Sequence, residues 1–173
     1  MESLGYKMNQ NDIFITILRR NQESLLSAIE GLTHSEMLLQ LPGEGNCINW
    51  ILGHIASYRD GMRVDSGLRQ YMQADEIERY AGGSQPIRPG DACVNSTRLS
   101  ELIVVSFNDL IDWLEHDTNG LSQNPAGNIK DNIGYSGVCS TLTEHFAQNI
   151  GHESIHVGEL NPLHELVLES RKR

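Results

Sequence analysis

The chain has 173 residues, 39% hydrophobic and 21% charged, with no low-complexity tract, which predicts one folded domain over 1–173 rather than disorder. Its 13 Lys and Arg against 23 Asp and Glu give a net charge of −10, and the tightest basic run is Arg171-Lys172-Arg173, which argues against nucleic acid as a partner. The start, "MESLGYKMNQND", lacks the basic and apolar stretches of a signal peptide, and no apolar run approaches the roughly 18 residues of a membrane helix, so a soluble, cytoplasmic protein without a membrane partner is expected.

Apolar residues Ile13, Phe14, Ile17, Leu18, Leu25, Ala28, Ile29 and Leu32 recur at steps of three and four, which predicts an amphipathic helix over about 10–31 that Asp12 could cap. Thr33 and Glu36 then stand in a capping-box arrangement for a short helical piece, stopped at Pro42 and "GEGN". A second long helix is predicted from about Asn46 to Gln70. Residues 71–94 read as a connection with a short helix at "ADEIERY" and the breaker-rich "AGGSQPIRPGD". That is long for a link between neighbouring helices, where about two to eight residues are usual.

From about Ser96 a third helix is signalled by Leu99, Leu102, Ile103, Phe107, Leu110 and Leu114, ending near Asp117. A second long connection leads to a fourth helix over about 140–161, after which Pro162 should kink or restart the chain before "LHELVLES". No stretch shows the period-two alternation of a strand. The pattern predicts an all-α protein, a four-helix bundle with long crossover connections.

Cys47, Cys93 and Cys139 lie far apart with no C-x-x-C, so they read as small buried or half-buried residues rather than a disulfide framework or a thiolate metal site. Cys47, seven residues before His54, shares nearly the same helix face, where a redox or substrate role is the lesser reading.

The chemistry concentrates in "GHESIHVGEL", residues 151–160. On that helix Leu142 and Phe146 are followed by Asn149, His152 and His156 where an inward apolar stripe would continue. Imidazoles four residues apart have Cβ atoms about 6 Å apart on one face, a separation suited to sharing a metal, or else both hydrogen-bond within the core. His152-Glu153-Ser154-Ile155-His156 also fits H-E-x-x-H, the helical zinc signature of metalloproteases. The neighbours do not fit the extended protease motif: Gly158 is two and His164 eight residues beyond His156, past a proline. Glu153 is then incidental, about 100° round the helix from His152 and as readily in solvent.

A third ligand is sought in "NWILGHIASYRDGM", where His54 follows Gly53, an isolated glycine costing about 1 kcal/mol in a helix interior and suggesting close approach of a neighbouring helix. If helices two and four are antiparallel neighbours, His54, His152 and His156 share one level. Tyr58, four residues after His54, could overhang such a site, and Asn149 is a candidate donor to a ligand. Asp65 reads as a surface group, His145 as too far from His152 to share a metal, and His34, His116 and His164 as cap or surface residues.

"NWILGHI" together with "HESIHVGE", and helices and connections in matching order over nearly the whole chain, resembles the DinB/YfiT-like family of metal-dependent enzymes. The resemblance implies a four-helix bundle, frequent homodimers, and a divalent metal ion held by histidines at His54, His152 and His156, with zinc or nickel ahead of iron or manganese. It also implies a small-molecule substrate and, in characterised members, a low-molecular-weight thiol as co-substrate of S-transfer or isomerisation, with hydrolysis the usual assignment for the rest. The chain departs from the family at Glu159, where glutamine is usual. A carboxylate there could orient a ligand, take a proton as a base, serve as a fourth ligand, or simply lie exposed at the helix end.

Overall fold

The computed structural model describes residues 9–43, 45–117, 121, 139 and 141–173. They form six helices and no strand: α1 (Gln10–Ile29), α2 (His34–Met37), α3 (Ile48–Asp65), α4 (Ala74–Arg79), α5 (Ser96–His116) and α6 (Leu142–Ser170). The protein is all-α, and the expected connection between α5 and α6 lies almost wholly outside the described residues. No helix among them is long and apolar enough to cross a membrane.

Local chemistry accounts for the helix ends. Thr33 and Glu36 make the predicted capping box of α2. Asn9, not Asp12, caps α1, and Asp12 returns the hydrogen bond to the Asn9 backbone as the third residue of the box. α3 stops five residues before the predicted Gln70. Gly67 takes φ +81°, and the backbone N–H groups of Leu68 and Gly67 donate to the carbonyls of Arg63 and Val64, the paired closure of a Schellman motif.

α6 runs on through Pro162, so the chain does not restart there. Pro162 and Gly158, whose carbonyl loses its partner, both face solvent, so water can take up that carbonyl. Leu160 and Leu163, buried on either side of the proline, hold the helix against the core.

Cross-helix bonds fix the directions. Asn21 meets Ser154 and the Ala28 carbonyl meets His164, so α1 and α6 run parallel. Asp65 meets His145 and Arg59 meets Glu153, so α3 runs antiparallel to α6. Asn49 meets Ser96 and Arg63 meets Asp109, so α3 and α5 run parallel. A chain joining parallel helices must return the length of one, about 27 Å for 18 residues. That explains the long 66–95 connection. It climbs back along α3: the Tyr71 and Met72 amides donate to Asp60, the Tyr80 carbonyl meets His54, Ser84 accepts from Trp50, and the Val94 carbonyl accepts from Asn49.

Among the described residues the core has two apolar clusters. One gathers Leu25, Ile51, Ile55, Leu99, Ile103, Val157 and Leu160, and the other Phe14, Leu18, Met62, Leu110, Phe146 and Ile150. Between them lies a polar layer to which each long helix contributes. Arg59 on α3 donates from Nε and Nη2 to both carboxylate oxygens of Glu153 on α6, each at 2.8 Å. Its Nη1 donates to Gln22 Oε1 on α1 at 2.7 Å and to the Ile103 carbonyl on α5 at 3.0 Å. Glu153, expected as readily in solvent, is 3% exposed, because a fully buried guanidinium on the facing helix demands a carboxylate there.

Removing one partner of such a pair leaves a bare charge in the core. Glu153→Gln is therefore expected to destabilise the fold by about 3–5 kcal/mol, measured as a lower midpoint in chemical denaturation. Replacing both charges, Arg59→Met with Glu153→Leu, should recover most of that loss. A midpoint unchanged in Glu153→Gln would show that the pair is not closed in solution.

Candidate metal centre

Where α3 and α6 cross just beyond the polar layer, His54, His152 and His156 come together with their coordinating nitrogens all within 4.8 Å of one another. His152 Nε2 lies 3.1 Å from both His54 Nε2 and His156 Nε2. Two nitrogens bound to one ion at about 2.0–2.1 Å lie about 2.9–3.4 Å apart for bond angles between about 90° and 109°, so these separations already suit a shared ion.

The outer nitrogens assign the tautomers. His54 Nδ1 donates to the Tyr80 carbonyl at 2.6 Å, and His156 Nδ1 donates to Glu159 Oε2 at 2.9 Å. With the proton on the outer nitrogen, the neutral form of each ring turns an Nε2 lone pair toward His152 Nε2. A single proton on His152 cannot serve both lone pairs along straight lines, whereas a cation among the three rings satisfies all of them. The three histidines could hold a metal ion.

The surroundings oppose protonation. Burial pushes His54 down to about 4, the Tyr80 carbonyl partly offsets this, and His156 and His152 lower it further. Burial and then His156 also lower His152, against a smaller opposing pull from Glu159. The His54 and His152 rings are thus held neutral, the form that ligates metal.

Aromatic walls complete the site. The His54 ring stacks on Trp50 at 4.4 Å between centroids and meets the edge of Tyr58 at 4.5 Å. Trp50, His54 and Tyr58 recur every four residues, so one face of α3 presents ring, ligand, ring. Tyr58 also meets His152 at 5.2 Å, close to the expected position over the site. Trp50 is an unexpected member of the site, and its place four residues before His54 is the signal the sequence carries for it.

Gly53 does mark a close approach, but to Tyr80 in the crossover and not to a neighbouring long helix. A Cβ on Gly53 would sit 2.2–2.4 Å from Tyr80 ring carbons. Tyr80, fully buried, carries no periodic signal in the sequence that would have found it.

Other expected roles resolve differently. Glu159 holds the outer nitrogen of His156. Asn149 bonds the His145 carbonyl at 2.7 Å and lies 3.2 Å from its ring. His145, buried, pairs with Asp65 at 2.9 Å, so Asp65 is a partner of the core rather than a plain surface group. Cys47 is fully buried at the start of α3, and burial pushes its thiol up. His34 meets Ser96 and His164 meets the Ala28 carbonyl, both away from the cluster.

No family model matches this sequence, and no curated protein matches it.

Two outcomes follow. Gly53→Ala, favoured by about 1 kcal/mol of helix propensity, is expected to destabilise instead by about 1–3 kcal/mol through overpacking on Tyr80, as calorimetry would show. For the metal-free protein, the folded state refuses a proton on His54 that the unfolded chain accepts near the ordinary value of 6.5. Stability is therefore present above about 6.5 and lost as the pH falls toward about 4, with His152 acting in the same direction. Denaturation curves across that window should flatten in His54→Ala.

Proposed function

We propose that the chain is a DinB/YfiT-like four-helix bundle enzyme that holds one divalent metal ion on His54, His152 and His156 and acts on a small molecule, S-transfer from a low-molecular-weight thiol being preferred over hydrolysis. The observation that carries the metal assignment is the convergence of Nε2 atoms whose lone pairs are set by hydrogen bonds on the opposite ring nitrogens. The family rests on "NWILGHI", "HESIHVGE" and the helix order; zinc and nickel are the preferred ions.

His54, His152 and His156 would hold a divalent ion through three imidazoles, a ligand count typical of catalytic rather than structural sites. Bound there, such an ion would supply Lewis acidity toward a thiol or water. The chain's own residues do the rest. The Tyr80 carbonyl and the Glu159 carboxylate orient two ligands and raise their basicity. Trp50 and Tyr58 screen the inner side of the site from water. Glu159, its side chain 48% exposed, lies within reach of solvent and can pass a proton outward.

A non-catalytic metal-binding bundle is the competing reading, and a fourth protein ligand would favour it. The position of Glu159 on the far nitrogen of His156 supports the enzyme instead.

Elemental analysis of protein purified without chelator or histidine tag, beside His54→Ala, His152→Ala and His156→Ala, tests the centre. Near-stoichiometric metal in the parent and its loss in all three variants is expected. The loaded parent should then consume thiol with an electrophilic substrate while the variants remain at background. Metal that survives His54→Ala would sink the three-histidine centre.

A further inference from the structure

We infer that Tyr80 is a positioning residue for the metal centre, its buried hydroxyl locked to Asn49 and Val94 so that its own backbone carbonyl holds His54 in the ligating tautomer. The inference rests on the metal reading above for its consequence, but the juxtaposition stands by itself. Tyr80 is fully buried, yet it lies in the crossover rather than in a core helix. Its hydroxyl donates to Asn49 Oδ1 at 2.9 Å and accepts the Val94 N–H at 2.9 Å. The amide of Asn49 in turn donates to the Val94 carbonyl at 2.9 Å and reaches Ser96 Oγ at 3.3 Å. At its other end the Tyr80 carbonyl accepts from His54 Nδ1 at 2.6 Å.

One rigid ring therefore spans two levels of α3, pinned beside Asn49 at the hydroxyl and beside His54 at the carbonyl. Gly53 makes room for it to lie flat against the helix, since no Cβ fits between them. Tyr80 and Val94, 14 residues apart in the crossover, are tied together through that hydroxyl. Shifting the hydroxyl would move the carbonyl with it.

The other oriented ligand contrasts with this arrangement. His156 is held by Glu159, a side chain 48% exposed on the same helix, where water competes for the carboxylate. His54 is 2% exposed and held by a backbone group with one direction of approach. A buried backbone acceptor cannot donate a hydrogen, so it admits only the tautomer whose Nε2 is free to ligate. The precision of the centre then depends on a tyrosine that does not touch the metal position.

Tyr80→Phe removes the hydroxyl and keeps the ring under Gly53. The experiment measures zinc affinity by competition with a chromophoric chelator for the parent, Tyr80→Phe, His54→Ala and the double variant. Alongside it, ¹⁵N imidazole spectra of the metal-free parent and Tyr80→Phe report the tautomer of His54. Expected are a loss of zinc affinity of about tenfold in Tyr80→Phe, no further loss from Tyr80→Phe once His54 is alanine, and a His54 spectrum that passes from the pure Nδ1–H form to a mixture. Should Tyr80→Phe not fold, Asn49→Ala removes the acceptor of the same hydroxyl and is read in the same way.

Unchanged zinc affinity with a lowered melting temperature would make Tyr80 a packing residue only and overturn the inference. So would an equal loss in the His54→Ala background, or a parent His54 that carries its proton on Nε2. A parent that binds no zinc would refute the metal reading, while the spectra would still decide whether Tyr80 sets the tautomer.

Discussion

The bidentate contact between Arg59 and Glu153 is what the level of every other element depends on. Above and below it most of the buried contact is made by Leu, Ile, Val and Phe, and apolar surfaces tolerate sliding because their attraction has no direction, with polar pairs such as Asp65–His145 and Asn21–Ser154 adding to the registry. The polar layer does not tolerate it. A slip of α6 by one turn, about 5.4 Å, would part the carboxylate from a guanidinium that also serves Gln22 and the Ile103 carbonyl. It would strand two charges where water cannot reach them. The layer thus fixes the registry of all four long helices.

That registry is inherited by the histidines. His152 precedes Glu153 directly and His54 stands five residues before Arg59, so once arginine meets glutamate the imidazoles have a set height relative to each other. In the antiparallel pair α3 and α6, the residues before Arg59 lie beside those after Glu153, and this brings His156 to the same place. The charge that identifies H-E-x-x-H in zinc proteases is here turned inward as a structural anion. Burial then acts on the imidazoles themselves. It lowers the proton affinity of His54 and His152 and leaves their lone pairs to a cation, with aromatic rings beside them in place of competing donors.

The parts of this arrangement visible in the sequence are those governed by local rules. Helical periodicity locates the four long helices, Thr33 and Glu36 declare a cap, and i, i+4 spacing puts His152 and His156 on one face. What escapes are features whose cause lies on another segment. Glu153 reads as a surface residue until Arg59 is known to lie opposite. Asp65 reads so until His145 is. The room made by Gly53 is plain from the sequence, but its occupant is not, since Tyr80 sits in a connection without periodicity. The restart allowed for at Pro162 fails for a related reason: a proline opposes a helix by local sterics, but leucines buried on both sides keep it against the core across one lost bond at a solvent-facing turn.

The parallel course of α3 and α5 carries a consequence for how the molecule comes to exist. His54 and His152 are 98 residues apart in sequence, and Tyr80 enters from a segment that must first retrace α3. The closing of so large a loop is opposed by chain entropy before any contact compensates it, and such distant pairings make for slow folding. No fragment ending before α6 contains two of the three imidazoles, so an incomplete chain cannot present the centre. An ion that binds there selects the finished topology over every earlier one and stabilises it by mass action. Metal capture would then be a record of completed folding.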